Sequence, residues 1–264
     1  MDWWAAYLGL GVFVGFFAGL FGIGGGLTIV PVLAIIFQAR GFPPDAILHL
    51  ALGTAMASII FTGSSSVRAH HMRGAVDWHL VRYMAPGVIG GTFVGALLAG
   101  LISTRVLTVL FTVIAYVLAA RMFIGGRPAP ARTLPGPFIV TAFGAGVGVL
   151  SSLAALGGAG LIIPFLARCN VKMQHAVGTA SAIGVPLAIS GTIGYIVSGW
   201  SRTDLPPHSL GYVYLPALGW LVIVTVAVAP LGAWVAHHVH GDTLRRGFSL
   251  LLFAIATKLL VSLL

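Results

Sequence analysis

Long stretches of this chain carry no charge, and short polar connections divide them. Residues 3–39, 46–67, 83–104, 106–120, 133–167, 173–201 and 205–241 contain no Asp, Glu, Lys or Arg. An apolar run of about 18 or more residues is long enough to cross a bilayer as a helix. The pattern predicts eight long helices, near 3–21, 47–65, 83–102, 104–124, 136–154, 176–198, 212–238 and 246–264. Two shorter ones are predicted near 27–37 and 160–167, each after a glycine cluster. The order is long, short, long, long, long, and then the same again.

Local sequence supports that periodicity. `GGGLTIVPVLA` (Gly24–Ala34) parallels `GGAGLIIPFLA` (Gly157–Ala167), with Pro31 on Pro164. Farther on, `ALGTAMA` (Ala51–Ala57) parallels `AVGTASA` (Ala176–Ala182). Two matches in the same order mark an internal repeat. The reading is an all-α polytopic membrane protein of two inverted repeats, residues 1–124 and 136–264, joined by a cytoplasmic loop at 125–135. Each repeat begins with a glycine-broken long/short helix pair and continues with three long helices.

Composition narrows the class. Of 264 residues, 58% are hydrophobic and 7% charged, against about 25% charged in soluble domains. Mean hydropathy is +1.04. The net charge of +9 comes from basic residues scattered between apolar runs. It forms no nucleic-acid face and acts on topology instead, since basic residues accumulate in cytoplasmic loops. If each short segment counts as one crossing, Arg68, Arg73, Arg82, Arg121, Arg127, Arg132, Arg168, Lys172, Arg245 and Arg246 share one side, and Arg40, Arg105 and Arg202 the other. If each short segment returns to the side it entered from, the bias disappears. The first arrangement places both termini outside the cytoplasm, in a cell inner membrane or plasma membrane. A hairpin reaching mid-membrane gives the same sides. The first apolar segment follows `MD` without a basic leader and is expected to be retained. The lone Cys169 excludes an intrachain disulfide.

Glycine breaks within hydrocarbon are tolerated only against protein or a water-filled cavity. Each break exposes the amides that begin the next helix, where the helix dipole favours an anion. Gly24, Gly25 and Gly26 therefore pair with Gly157, Gly158 and Gly160 as a candidate substrate site. Pro31 and Pro164 are expected to end or kink the short helices. Thr54 and Thr179, in matched `GT` pairs, and Ser58 and Ser181 near them, offer hydroxyls to an oxyanion. `TGSSS` (Thr62–Ser66) is expected to close a span. `GGTFVGALLAG` (Gly90–Gly100) suits close helix packing. His49 and His175 precede the `GT` pairs and are candidates to carry a coupling proton. The clusters at His70–His71 and His237, His238 and His240 have no acidic or cysteine partner within a span, and no metal site or cofactor is expected. No acidic residue lies deep in an apolar run, which disfavours a cation substrate. No intramembrane catalytic pair or nucleotide-binding loop is present, so no enzyme activity is expected.

Taken in order, `GLFGIGGGLTIVP` (19–31), `ALGTA` (51–55), `RGAVDW` (73–78), `GGAGLIIP` (157–164), `AVGTASA` (176–182) and `LRRGFSLLL` (244–252) resemble the TauE/SafE sulfite-exporter family of membrane permeases. Ala159 departs from the first repeat, which has Gly26 at that place. The resemblance implies a secondary transporter of small organosulfur or sulfur oxyanions, of the sulfonate, sulfoacetate or sulfite class, with a small anion and the lipid bilayer as partners. Uptake of a dilute anion would draw on a coupling proton or cation. An anion-selective channel and a non-transporting membrane scaffold are the alternatives. The anion, the direction of transport and the oligomeric state are left open by the sequence.

Overall fold

The computed structural model describes residues 4–21, 25–124, 134–236 and 241–263. Gly24, most of the inter-repeat loop (125–133) and His237, His238 and His240 lie outside the described residues. Among the described residues ten helices follow in order: α1 Trp4–Phe21, α2 Gly26–Ala39, α3 Ile47–Met72, α4 Trp78–Leu101, α5 Thr104–Ile124, α6 Pro137–Ala154, α7 Ala159–Arg168, α8 Met173–Gly199, α9 Leu215–Ala236 and α10 Gly241–Leu263. They form a polytopic helical bundle. Five of them, α3, α4, α5, α6 and α8, are long and apolar enough to span a bilayer by length and composition alone.

Helices dominate because lipid offers backbone groups no other partner. Outward faces are apolar: on α5, the exposed Val106, Val109, Val113 and Val117 form one stripe, while Leu107, Phe111, Ala115 and Leu118 are buried. Buried hydroxyls bond to their own helix. Thr108 donates to Thr104 O (2.7 Å), Thr112 to Thr108 O (2.8 Å) and Thr192 to Ala188 O (2.7 Å).

Two expectations need correction. Pro31 and Pro164 do not end the short helices; both lie inside α2 and α7, which continue beyond them. `TGSSS` does not end its helix, because α3 runs through it to Met72. Thr62 and Ser64 turn back to carbonyls of the preceding turn. A feature not anticipated is a small antiparallel hairpin before α9, β1 Ser209–Leu210 paired with β2 Val213–Tyr214.

Packing fixes the relative directions. On α4, Gly87 lies against the Thr141 carbonyl of α6 and Gly91 against that of Ala145, an even register that makes the two helices parallel. On α1, Gly11 meets Val224 and Gly15 meets Thr225 and Val228 of α9, again in parallel. Likewise, α4 and α8 are parallel: Gly191 meets Thr92, and Gly194 meets Ala96. By contrast, α3 and α8 run antiparallel, with Gly53 beside Tyr195, Met56 beside Gly191, Gly63 beside Val185 and Ser66 bonded to Ser181. Small residues bring the backbones together, as the `GGTFVGALLAG` stretch predicts.

Candidate functional site

The site starts from two matched helix starts. Gly25 caps α2 at φ 70° and Gly158 caps α7 at φ 77°, a backbone region open to glycine at little cost. The Gly25 carbonyl accepts the N–H groups of Thr28 and Ile29 (both 3.0 Å) and the Thr28 hydroxyl (2.7 Å). The Gly158 carbonyl accepts those of Leu161 (3.1 Å) and Ile162 (2.9 Å). The amides of Gly26 and Leu27, and of Ala159 and Gly160, precede these first intrahelical bonds. They are the orphan donors of a helix N-terminus.

The breaks touch. Gly26 packs directly on the carbonyl of Ala155, in the turn between α6 and α7. That turn is tight: Ala155 has φ 48°, Leu156 N–H bonds Ser151 O (3.1 Å), and Gly158 N–H bonds Leu156 O (2.6 Å). Behind it, the Gly157 carbonyl faces Gly184 of α8. Ala159 is buried, whereas Gly160 has room, its nearest neighbour being Leu118 Cδ2 at 3.7 Å from a β-carbon position.

Both `GT` pairs meet backbone. Gly53 lies against the Tyr212 carbonyl, and Thr54 Oγ1 accepts Tyr214 N–H at 2.9 Å. Gly178 lies against the Ala75 carbonyl, and Thr179 Oγ1 accepts Asp77 N–H at 3.0 Å. The loops so held are alike: `GAVD` (Gly74–Asp77) leads into α4 and `GYVY` (Gly211–Tyr214) into α9, each after a glycine of positive φ. This second parallel is legible in the sequence itself. Asp77 also caps α4, accepting from His79 (3.0 Å) and Leu80 (3.2 Å).

The serines bond within their helices, Ser58 to Ala55 O (2.8 Å) and Ser181 to Val177 O (3.0 Å). The paired histidines have unlike surroundings. His49 is buried, stacks on Tyr212 at 4.9 Å, and donates from Nε2 to Ala99 O (2.9 Å) and Ile102 O (3.1 Å) at the end of α4. Two carbonyl acceptors require the proton on Nε2. His175 is half-buried in the first turn of α8.

Sequence reasoning also missed two aromatic contacts. Arg40 donates to the hydroxyls of Tyr7 and Tyr214, both at 2.8 Å, and lies over the Phe42 and Tyr214 rings. The wholly buried Tyr195 hydroxyl donates to Ser152 O at 2.8 Å. Among the described residues no cluster of His, Cys, Asp or Glu could hold a metal ion.

Residues 7–259 match the family described as Sulfite exporter TauE/SafE. The chain belongs to the TauE/SafE family. Its relatives include a probable membrane transporter protein of Haemophilus influenzae, 35% identical over 95% of each chain. Another is the probable membrane transporter protein YdhB of Bacillus subtilis, 29% identical over 71% of this chain and 76% of its own. A third, MJ0441 of Methanocaldococcus jannaschii, is 26% identical over 89% and 87%. No solved structure matches the chain. As a TauE/SafE member the protein is a membrane transporter and not an enzyme.

Proposed function

We propose that this TauE/SafE protein is a secondary transporter of small sulfur oxyanions or organosulfur anions, of the sulfite, sulfonate or sulfoacetate class. The anion binds where the two glycine breaks meet, at the amides that begin α2 and α7. The observation that carries the reading is the contact of Gly26 with Ala155, which brings one broken helix start against the turn before the other. Helix N-termini hold an anion without a fixed cation, and a site lacking a buried Arg avoids leaving an uncompensated charge when it empties. The family's description as a sulfite exporter supports the substrate class.

The halves 1–124 and 136–264, with the 125–135 loop in the cytoplasm, are inverted repeats in this reading. The antiparallel α3 and α8, the matched caps at Gly25 and Gly158 and the matched `GT` contacts support it. Both termini then lie outside the cytoplasm of a cell inner membrane or plasma membrane. An impermeant thiol reagent applied to cells should label a cysteine at Arg202 and spare one at Arg73; the reverse pattern inverts the orientation.

Reconstituted protein should give saturable flux of sulfite or a small sulfonate, stimulated by the same anion on the far side. Nonsaturating flux would make it a channel, and no flux across the anion panel from folded protein refutes the proposal. An inside-negative potential favours anion efflux. Uptake requires coupling, for which His49 and His175 are the proton candidates. Unchanged pH dependence in the double alanine variant removes them.

A further inference from the structure

We propose that Ser151 is a third donor to the transported anion, its hydroxyl meeting the same ligand as the amides that begin α2 and α7. The proposal deepens the transporter reading and rests on it. Its own footing is a hydroxyl that the fold buries without a partner, one helical turn from the point where the two breaks meet.

Ser151 stands in the last turn of α6 and is wholly buried. Its carbonyl accepts the N–H groups of Ala155 and Leu156, and so holds the turn that carries α6 into Gly158. Its Oγ has no hydrogen-bond partner. Other buried serines turn back on their own helices: Ser58 donates to Ala55 O (2.8 Å), Ser152 to Val149 O (2.7 Å) and Ser181 to Val177 O (3.0 Å). Leaving a buried hydroxyl unpaired costs its full desolvation. Positions four apart share one face of a helix. Ser151 therefore lies on the face of α6 that ends at Ala155, whose carbonyl packs on Gly26. The next residue, Ser152, is turned about 100° away and lies against Gly95 of α4.

Among the described residues three other hydroxyls are buried without a partner, and their places differ. Thr92 is wedged between two glycines: a β-carbon position at Gly148 is 2.8 Å from its Oγ1, and one at Gly191 is 2.9 Å from its Cγ2. Packing that close leaves no space for a ligand. Thr225 lies in the α1–α9 contact, against Gly15, and Ser209 belongs to the β1–β2 hairpin. Of the four, Ser151 is the one beside two helix starts. The unpaired amides of Gly26 and Leu27 come from α2, and those of Ala159 and Gly160 from α7; Ser151 adds a donor from α6. A group with three oxygens, such as the SO3 head shared by sulfite and a sulfonate, can accept from all three helices at once. The anion in turn gives the Ser151 hydroxyl an acceptor.

Calorimetric titration with sulfite in detergent, beside thermal unfolding without sulfite, tests this on the parent, Ser151→Ala and Ser152→Ala. Ser151→Ala keeps the carbonyl that holds the turn. It should bind sulfite about tenfold more weakly or worse, as expected for the loss of one hydrogen bond to a charged group. Its unfolding temperature without sulfite should match or exceed the parent's, because the hydroxyl removed had no partner. Ser152→Ala should do the reverse. It should unfold at a lower temperature, having lost its bond to Val149 O, and bind sulfite within about twofold of the parent. Ser151→Cys keeps the shape but donates weakly, so it should not recover the parent's affinity. The proposal is overturned if Ser151→Ala binds sulfite as the parent does, if Ser152→Ala loses as much affinity, or if Ser151→Cys recovers all of it. A lower unfolding temperature for sulfite-free Ser151→Ala also overturns it, by giving the hydroxyl a structural partner. A parent that binds no sulfite refutes the anion site itself; equal binding by the parent and Ser151→Ala refutes the role of Ser151 alone.

Discussion

Replacing Gly26 by alanine tests the contact on which the candidate site depends. A β-carbon there would overlap the Ala155 carbonyl and stand 2.9 Å from Ile59 Cδ1. Carbon contacts are comfortable at about 3.5–4.0 Å. The Ile59 methyl can rotate away. The Ala155 carbonyl cannot, because Ala155 and Leu156 both bond back to Ser151 O. The start of α2 must therefore withdraw from the α6–α7 turn, and overpacking of this kind costs about 1–3 kcal/mol. Gly160→Ala is the matched control. Its β-carbon would meet nothing closer than 3.7 Å, and alanine in place of a helical glycine gains up to about 1 kcal/mol. Thermal unfolding in detergent should therefore separate the two variants by roughly 1–4 kcal/mol. Gly26→Ala should also lose most sulfite flux, whereas Gly160→Ala should keep it, since its amide remains. Equal unfolding temperatures for the two variants, or full flux in Gly26→Ala, would refute the idea that the breaks meet where the anion binds.

Two further outcomes follow from single contacts. Tyr195→Phe removes the buried hydrogen bond to Ser152 O and should cost about 0.5–1.5 kcal/mol in unfolding without changing transport direction; a neutral or stabilising effect would show that the bond contributes nothing. Asp204 accepts two hydrogen bonds from Arg202 (2.7 and 2.8 Å), which hold its carboxyl below the usual carboxylate range. Stability from this pair is therefore present above the unfolded carboxyl value, near pH 4, and is lost as pH falls through the lowered folded value. Asp204→Asn should cost less than about 1 kcal/mol at neutral pH, because the pair is exposed, and the difference from the parent should vanish in acid; a difference that persists there would point to another cause.

The helices were legible because lipid imposes one rule on the backbone. The apolar pattern places α5 at Thr104–Ile124, as observed, and α6 within a residue of its start. The misplaced end of α3 has a local cause. Serine and threonine at 62–66 look like a terminus, but their hydroxyls satisfy carbonyls of the preceding turn and let the helix continue. The prolines misled because a proline costs a helix one N–H bond without always ending it: each lies in the sixth position, past the four unpaired amides of the helix start, and both helices continue beyond it. At the site, pattern alone could pair the glycine breaks and the `GT` motifs. It could not say that a threonine oxygen faces a backbone amide from a distant loop, because Tyr214 and Thr54 are 160 residues apart.

The threonines pose the sharpest remaining question, since each is a clasp on a distant loop, Thr54 on Tyr214 N–H and Thr179 on Asp77 N–H, and a clasp and an anion contact are compatible. A hydroxyl oxygen that accepts an N–H still has its own proton to donate, and accepting one bond strengthens the next. Thr54→Val and Thr179→Val remove both functions together, so weaker binding in them identifies neither. The neighbouring glycines separate the two. Gly53→Ala and Gly178→Ala press a β-carbon on the Tyr212 and Ala75 carbonyls, opening the clasp and leaving the hydroxyl intact. If the threonines touch the anion, each valine variant should lose about 0.5–2 kcal/mol of affinity beyond its alanine neighbour. If they act only as clasps, the valine and alanine variants at each site should lose the same affinity and show the same fall in unfolding temperature. Calorimetric titration with sulfite on all four variants distinguishes these cases. Direct anion contact is ruled out if each alanine variant binds as weakly as its valine partner.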